Sequence, residues 1–314
     1  MRDLGCDIVI IGGGIAGLTA GLYTSRAGMD TLLLEGTNLG GQAIIAEAIE
    51  NFPGFPDGIS GIELITRLKE QAVKFGLKIE YEKVAKIVTE EGKSKSVKTN
   101  DKTINCYGII LAVGASPKRL GVEGEERFIG RGVSYCATCD GPMYKNKEVV
   151  VVGGGDAAIE EALFLDELCK KIYLVHRRDS LRATKVLQER LFKSPRIEFI
   201  SSSIVKEIKG SNRIEEVVLE NLKDHKVYIL KTDGIFIFVG TEPNTDFLKG
   251  VVDLDTEGYI ITNEEMEASV KGIYACGDAR KKVFRQLVTA AGEAATAAYI
   301  CTHYVLSLKG FIYK

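Results

Sequence analysis

The sequence lacks the features that mark nucleic-acid-binding, membrane and exported proteins. Its 41 basic and 43 acidic residues give a net charge of −2, which leaves no broad basic field for nucleic acid or anionic lipid. The apolar runs, such as residues 109–113 and 235–239, are far shorter than the roughly 20 residues of a membrane-spanning helix. No charged leader or cleavage site precedes the first strand-like run, residues 8–11. We therefore expect a cytoplasmic protein that binds neither nucleic acid nor membrane.

Cysteine and histidine are present in numbers that suit neither a disulfide scaffold nor a zinc site. The seven cysteines form an odd number, and all but one pair are widely scattered, which favours a reducing compartment. A structural zinc site needs four ligands, but the sequence has only three histidines and no second Cys-x-x-Cys. We therefore predict no metal site. Five cysteines are interpreted as packing residues: Cys6, Cys106, Cys169, Cys276 and Cys301.

One pattern occurs twice along the chain. Residues 7–14 and 148–155 are both short apolar runs that enter a glycine-rich loop, and such runs are typical of buried strands. A helical pattern rich in small residues follows each loop, at 16–27 and at 157–168. This succession of strand, glycine turn and helix is the first part of a dinucleotide-binding βαβ unit.

The spacing within the two copies supports the same interpretation. Gly12 lies 23 positions before Glu35, and Gly153 lies 23 positions before His176. Glu35 and His176 each come directly after a second apolar run. The pattern predicts an α/β fold with two Rossmann-like dinucleotide-binding domains, and hence two bound dinucleotides.

The boundaries between the domains are predicted from two turn-forming segments. Residues 113–117 and 239–243 each follow an apolar run and contain glycine and proline. The first domain is then discontinuous, 1–116 with 245–314. The second domain, 117–244, is inserted into it.

The first loop has the residues that a dinucleotide pyrophosphate requires. Gly12, Gly14 and Gly17 fit the Gly-x-Gly-x-x-Gly pattern, which permits a tight turn, close approach of the pyrophosphate and close helix packing. The helix N-terminus supplies N–H donors. Glu35, at the end of the second run, is placed to hydrogen-bond ribose hydroxyls. A purely structural glycine turn is the alternative, and the flanking strand, helix and acid disfavour it.

The second loop, residues 153–158, has alanine in the third position of the motif, which is a permitted variant. His176 stands in place of the ribose acid, and three arginines follow: Arg177, Arg178 and Arg182. An acid would repel a 2′-phosphate, whereas arginine binds it with bidentate, charge-assisted hydrogen bonds. NADPH is therefore the predicted nucleotide, and a solvated basic run is the alternative.

The remaining Cys-x-x-Cys pair, Cys136 and Cys139, lies ahead of the second loop and is followed by Asp140. Such a motif closes a small ring and lowers the pKa of one thiol toward about 7, which gives an attacking thiolate near neutral pH. Asp140 is a candidate acid or base for the departing thiolate. The pair therefore predicts a redox centre.

Together these motifs resemble those of low-molecular-weight thioredoxin reductase. The resemblance covers nearly the whole chain and depends on the ordered set, which is highly specific. The matching segments are Gly12-x-Gly14-x-x-Gly17, Gly40-Gly41-Gln42, Asn51-Phe-Pro-Gly54, Cys136-Ala-Thr-Cys139-Asp140-Gly141, Gly153-x-Gly155-Asp156, His176-Arg177-Arg178-x-x-x-Arg182, Tyr274-Ala-Cys-Gly277-Asp278 and Arg285-Gln286.

The resemblance implies cofactors and a role for each matching residue. Residues 1–116 with 245–314 would bind FAD, and residues 117–244 would bind NADPH and hold the redox pair. The implied FAD contacts are Gly12, Gly14, Ala16, Gly17, Glu35, Gly40, Gly41, Gln42, Asn51, Val84, Gly114, Gly277, Asp278, Arg285 and Gln286. The implied NADPH contacts are Gly153, Gly155, Asp156, Ala157, His176, Arg177, Arg178 and Arg182.

The resemblance also implies the order of events and the partner. Cys136 would attack the disulfide of a protein substrate, and Cys139 would face the flavin. The enzyme would be an NADPH-dependent thioredoxin-disulfide reductase, a homodimer whose partner is thioredoxin or a thioredoxin-like protein. Two alternatives remain open: a flavin-dependent reductase of another small redox protein, and a nucleotide-binding sensor that merely retains the fold.

Overall fold

The computed structural model describes residues 4–46, 49, 51–89 and 94–311. The chain divides into two compact units, one made of 1–116 with 242–314 and the other of 117–241. The second division falls three residues before the predicted boundary between residues 244 and 245, because Asn244 is tied to the first unit. Its Nδ2 donates a hydrogen bond to the carbonyl oxygen of Val113 at 2.9 Å, and its N–H donates to that of Gly114 at 3.1 Å.

Strands and helices alternate along most of the chain. The first unit contains β1 (Leu4–Gly5), β2 (Ile8–Ile11), α1 (Ile15–Arg26), β3 (Thr31–Leu34), α2 (Gly61–Lys74), β4 (Lys78–Glu80), β5 (Val84–Thr89), β6 (Lys95–Thr99), β7 (Thr103–Cys106), β8 (Gly108–Leu111) and β9 (Ala115–Pro117). The second unit contains β10 (Val133–Ser134), α3 (Ala137–Asp140), β11 (Glu148–Gly153), α4 (Asp156–Asp166), β12 (Lys171–Val175), α5 (Lys185–Lys193), β13 (Ile197–Ile200), β14 (Ser203–Gly210), β15 (Ile214–Asn221), β16 (Val227–Lys231) and β17 (Gly234–Phe238). The chain then forms β18 (Thr241–Pro243), which pairs with β9, and completes the first unit with β19 (Ile273–Ala275) and α6 (Leu287–Leu308).

The core of the first unit is a parallel sheet of five strands in the order β19-β8-β2-β3-β4. Strand β2 is fully buried, and its side chains alternate between two apolar clusters. Ile8 and Ile10 contact the cluster formed with helices α1 and α6, whereas Val9 and Ile11 contact the cluster formed with β5, β6 and β7. A strand that is apolar on both faces needs cover on both faces, and here helices cover one face and an antiparallel sheet the other.

The second unit repeats this architecture. Its parallel sheet has the order β10-β17-β11-β12-β13, and β11 alternates in the same way as β2. Val149 and Val151 pack on the helical side, whereas Val150 and Val152 pack toward the antiparallel sheet β14-β15-β16. The predicted α/β fold with two Rossmann-like domains is confirmed.

The helices after the two glycine loops begin where the sequence pattern indicates, within one residue. Helix α1 follows Gly14 and α4 follows Gly155, and neither glycine offers a side-chain cap. Helix α6 has 22 residues, and its buried side chains belong to the apolar core of the first unit. No helix within the described ranges is both long and apolar enough to cross a bilayer.

Candidate functional site

The first glycine loop joins β2 to α1 in a turn that leaves no space for a Cβ at Gly12 or Gly17. Gly12 has a φ of +103°, and a Cβ added there would lie 2.4 Å from the carbonyl oxygen of Ala112. A Cβ on Gly17 would lie 1.8 Å from the carbonyl oxygen of Gly12, so α1 begins directly on the end of β2. Because the N-cap Gly14 has no side-chain acceptor, the N–H groups of the first turn remain as donors for an anion.

Glu35 directly follows β3, and its carboxylate bonds both the glycine loop and the turn that follows Glu35 itself. Its Oε2 accepts a hydrogen bond from the N–H of Gly13 at 2.7 Å, and its Oε1 accepts one from the N–H of Thr37 at 2.9 Å. Oε1 also accepts the Thr37 hydroxyl at 3.2 Å, so the remaining acceptor capacity lies on Oε2. An acceptor at the carboxyl end of a parallel strand, beside an anion-binding turn, suits the hydroxyls of a nucleotide ribose.

A cavity in the first unit brings together most of the residues that the resemblance assigns to FAD. It lies where β2, β3, β8 and β19 end, which is where parallel sheets bind nucleotides. The assigned residues that line it are Gly12, Gly14, Ala16, Glu35, Gly40, Gly41, Gln42, Gly114, Gly277, Asp278 and Gln286. Thr37, Asn38 and Asn244 also line it and were not predicted. Thr37 and Asn38 could have been found from their place just after Glu35.

The other residues assigned to FAD lie outside this lining. They are Gly17, Asn51, Val84 and Arg285. The Nδ2 of Asn51 donates a hydrogen bond to Oε1 of Gln286 at 3.1 Å. The Arg285 guanidinium lies 4.0 Å from the ring centroid of Tyr259, and its Nε donates to the carbonyl oxygen of Asp278 at 3.4 Å. Asn51 and Arg285 therefore contact lining residues rather than the cavity.

A cluster of four charged residues supports one wall of this cavity, and sequence reasoning missed its centre. Glu293, on α6, accepts hydrogen bonds at 3.0 Å from the N–H of Gly277 and from the Arg280 guanidinium. Lys282 Nζ lies 3.4 Å from Glu293 and 3.2 Å from Asp278. The cluster is largely buried, since the Lys282 and Glu293 side chains are 5% and 13% exposed. The one sequence signal was that Glu293 is the single Asp, Glu, Lys or Arg in an alanine-rich helix.

The second unit has its own cavity, lined by five basic side chains and one carboxylate. The basic residues are Lys118, Arg119, Arg177, Arg182 and Lys206, and the acid is Glu123. His176 also lines the cavity, and burial, with the charges of Arg182, Arg177 and Arg178, lowers the pKa of its imidazole. Its Nε2 is buried and has no hydrogen-bond partner among the described residues. The positive field near neutral pH therefore comes from lysine and arginine, which suits a phosphate.

The residues assigned to NADPH divide between this lining and its surroundings. Gly153, His176, Arg177 and Arg182 line the cavity, whereas Gly155, Asp156, Ala157 and Arg178 are not part of the described lining. Asp156 Oδ1 accepts the N–H of Thr184 at 2.6 Å, and the N–H of Arg182 donates to the carbonyl oxygen of Gly154 at 2.7 Å. These two bonds tie the arginine-bearing loop to the second glycine loop. The lining residues Lys118 and Arg119, which directly follow the turn-forming segment 113–117, were not predicted.

Cys136 begins the redox segment and is disulfide-bonded, whereas the five cysteines interpreted as packing residues are free thiols. The Cys136 N–H donates to Oγ of Ser134 at 3.1 Å, and its Sγ lies 3.2 Å from Oγ1 of Thr138. Helix α3 follows at once and ends at the half-buried Asp140. The side chain of Cys139 lies outside the described part of the structure, so the pairing of the two cysteines stays a prediction.

Sequence reasoning also missed a carboxylate that meets the start of α3. Oε2 of Glu161, on α4, accepts the N–H of Ala137 at 3.0 Å, and the backbone of Thr138 hydrogen-bonds the same carboxylate. Burial raises the pKa of Glu161, and the two backbone hydrogen bonds oppose this rise. The sequence offered no signal, because Glu161 is one of two adjacent acids in an ordinary helical pattern.

The other thiols and ligating side chains form no second reactive centre in the described residues. Burial raises the pKa of Cys169 to about 11 and those of Cys6 and Cys276 to about 12. It also raises the pKa values of Cys106 and Cys301. Since the thiolate is the reactive form, these thiols are inert near neutral pH. No group of three or more His, Cys, Asp or Glu in the described ranges is arranged to hold a metal ion.

Known proteins of one family resemble this chain over nearly its whole length. The profile of the pyridine nucleotide-disulphide oxidoreductases matches residues 6–294. A thioredoxin reductase of Treponema pallidum (strain Nichols) is 42% identical over 306 residues, which cover 96% of this chain and 98% of that protein. The crystal structure of Lactococcus lactis thioredoxin reductase is 42% identical and has a TM-score of 0.85. The match covers 96% of this chain and 99% of that chain. A ferredoxin-flavin thioredoxin reductase from Clostridium acetobutylicum is 31% identical, with a TM-score of 0.53. That match covers 99% of this chain and 100% of the other.

Proposed function

The chain belongs to the thioredoxin reductases of the pyridine nucleotide-disulphide oxidoreductase family, and on that premise we propose that it passes electrons from NADPH through FAD to Cys136 and Cys139. It is a thioredoxin-disulfide reductase. One observation carries the assignment of the cofactors: each unit has its own nucleotide-type cavity, one with a carboxylate at a strand end and the other with arginines. Residues 1–116 with 245–314 would form the FAD domain, and residues 117–244 the NADPH domain.

The first unit has the donors, acceptors and open backbone that FAD requires. The chemistry that FAD supplies when bound is the acceptance of a hydride and the delivery of two electrons. The N–H groups after Gly14 would bind its pyrophosphate, and Glu35 would accept hydrogen bonds from its ribose. Asp278, held by its ion pair with Lys282, would face the ribityl or pyrophosphate region.

The second unit has the positively charged side chains that would distinguish NADPH, with its 2′-phosphate, from NADH. Arg177 and Arg182 line a cavity in which basic side chains outnumber the single acid. The hydrogen bond from Arg182 to Gly154 fixes the arginine-bearing loop before any ligand arrives. This bond holds the Arg182 backbone beside the cavity, and guanidinium groups form bidentate bonds with phosphate, so the arrangement supports recognition of the 2′-phosphate.

The thiols would then reduce the partner in two exchange steps. The Cys136 thiolate attacks one sulfur of the partner's disulfide, the S–S bond breaks, and the other partner sulfur leaves as a thiolate. The Cys139 thiolate attacks the Cys136 sulfur of this mixed disulfide, which releases the second partner sulfur and re-forms the Cys136–Cys139 disulfide. Asp140 would give a proton to a departing thiolate. Two electrons and two protons thus pass to the partner.

The partner and the assembly state are also part of the proposal. Relatives called thioredoxin reductase support thioredoxin or a thioredoxin-like protein as the partner. A cytoplasmic homodimer is proposed from the family resemblance, and light scattering on the purified protein would measure the number of chains.

Electron counting and donor choice test this function. Anaerobic titration of the holoenzyme should take up about four electrons per chain, two on FAD and two on the dithiol, and Cys139→Ser should take up about two.

Reduction of thioredoxin should proceed with NADPH, because the second cavity carries the phosphate-binding arginines. One relative is a ferredoxin-flavin thioredoxin reductase, so reduced ferredoxin is the matched alternative donor. Turnover with reduced ferredoxin but not with NADPH would refute the assignment of the second unit.

A further inference from the structure

A half-buried carboxylate, that of Glu161, holds the helix that follows Cys136, and the electron path described above does not use it. Glu161 Oε2 accepts the N–H of Ala137 at 3.0 Å, and the backbone of Thr138 hydrogen-bonds the same group. Ala137 is fully buried in one apolar cluster with Ile159 of α4, so α3 is fixed against the helix that carries Glu161. The carboxylate is therefore held beside the first turn of α3.

The charge of Glu161 opposes the effect that this helix would otherwise have on Cys136. Backbone N–H groups that directly follow a cysteine lower the pKa of its thiol, because such donors favour the thiolate. Here the carboxylate accepts hydrogen bonds from those N–H groups and adds a negative charge next to them. The other charged residues of α3 and α4 are acids as well: Asp140, Asp156, Glu160 and Asp166. No lysine or arginine on either helix offsets them.

We propose that Glu161 is a positioning residue that sets the reduction potential of the Cys136 dithiol and keeps it reducing. The relevant equilibrium is protein disulfide plus two glutathione thiols giving protein dithiol plus glutathione disulfide, with two electrons and two protons transferred. A negative charge beside Cys136 destabilises its thiolate, so the reduced protein is less stable and gives up its electrons more readily. The inference depends on the proposed function, since it takes Cys136 as a member of the redox pair.

The test is the dithiol–disulfide equilibrium of the holoenzyme in anaerobic glutathione buffers at pH 8.5, read by mass-tagging of reduced Cys136. Glu161→Gln keeps a carbonyl acceptor for Ala137 but removes the charge. It should favour the reduced form by about 3- to 10-fold, which corresponds to about 15 to 30 mV, because a nearby unit charge has an effect of this order. Glu161→Asp keeps the charge and should stay near the wild-type value. Glu167→Gln removes an exposed acid after the same helix and is the matched control.

The outcomes separate this inference from the proposed function. A shift in Glu161→Gln toward the reduced form, absent from Glu167→Gln and without a lowered melting temperature, supports it. An unchanged or opposite shift overturns it and leaves Glu161 a purely structural cap. If Glu161→Gln does not fold, a wild-type potential in a folded Glu161→Ala overturns it equally. If wild-type Cys136 does not respond to glutathione at all and the titration yields only two electrons, the proposed function itself fails.

Discussion

Replacing Glu293 with alanine is expected to destabilise the first unit by about 3 kcal/mol. The change removes the acceptor of Arg280 and of the Gly277 N–H, and it leaves Lys282 with Asp278 as its only acid in the cluster. Removing one partner of a buried ion pair costs about 3 to 5 kcal/mol, because the other charge stays buried without compensation. We expect the lower end, since the Arg280 side chain is 17% exposed and Lys282 keeps one acid.

Thermal unfolding of the variant, with and without added FAD, measures this effect. For a unit of this size each kcal/mol lowers the melting temperature by about 2 to 4 °C, so a decrease of roughly 6 to 12 °C is expected. Glu293→Gln keeps an acceptor for the Gly277 N–H and should recover about 1 kcal/mol. Glu264→Ala removes an exposed acid of the same unit and is the control. If Glu293→Ala unfolds at the temperature of Glu264→Ala, the reasoning from a buried, charge-balanced cluster is refuted.

Two further predictions concern the cofactor sites. Arg177→Ala and Arg182→Ala should each lower kcat/KM for NADPH by roughly 10- to 100-fold, because a charged hydrogen bond contributes about 1.5 to 3 kcal/mol, whereas NADH should be little affected. Arg178→Ala should cost less because Arg178 is not in the described lining, and equal losses with both nucleotides would contradict phosphate recognition. Glu35→Ala should weaken FAD binding by roughly 10-fold or more, measured by flavin fluorescence on dilution. Full retention of FAD, as expected for the Glu264→Ala control, would show that Glu35 does not bind it.

The sequence was sufficient where structure depends on residues close along the chain. An apolar run, a glycine turn and a helix of small residues specify β2, Gly12 and α1, because the turn geometry excludes any Cβ at Gly12. The same holds for β11 and α4. The antiparallel strands β5–β7 and β14–β16 were not predicted as sheets, since these strands are partly exposed and lack a distinctive pattern. They form because each parallel sheet has a second apolar face to cover.

For the site residues too, the sequence was sufficient for local patterns, whereas tertiary structure decided the contacts between distant segments. Glu35 and His176 each follow a buried strand 23 positions after the first glycine of a loop, so their positions, and that of Arg177 next to His176, were evident from the sequence alone. Tertiary structure alone decided that Glu293 meets the N–H of Gly277 and that Glu161 meets the N–H of Ala137. Both acids lie on helices whose packing against distant segments fixes the contact. A linear pattern does not record such contacts, because a helix shows which residues share a face but not which backbone groups that face will meet.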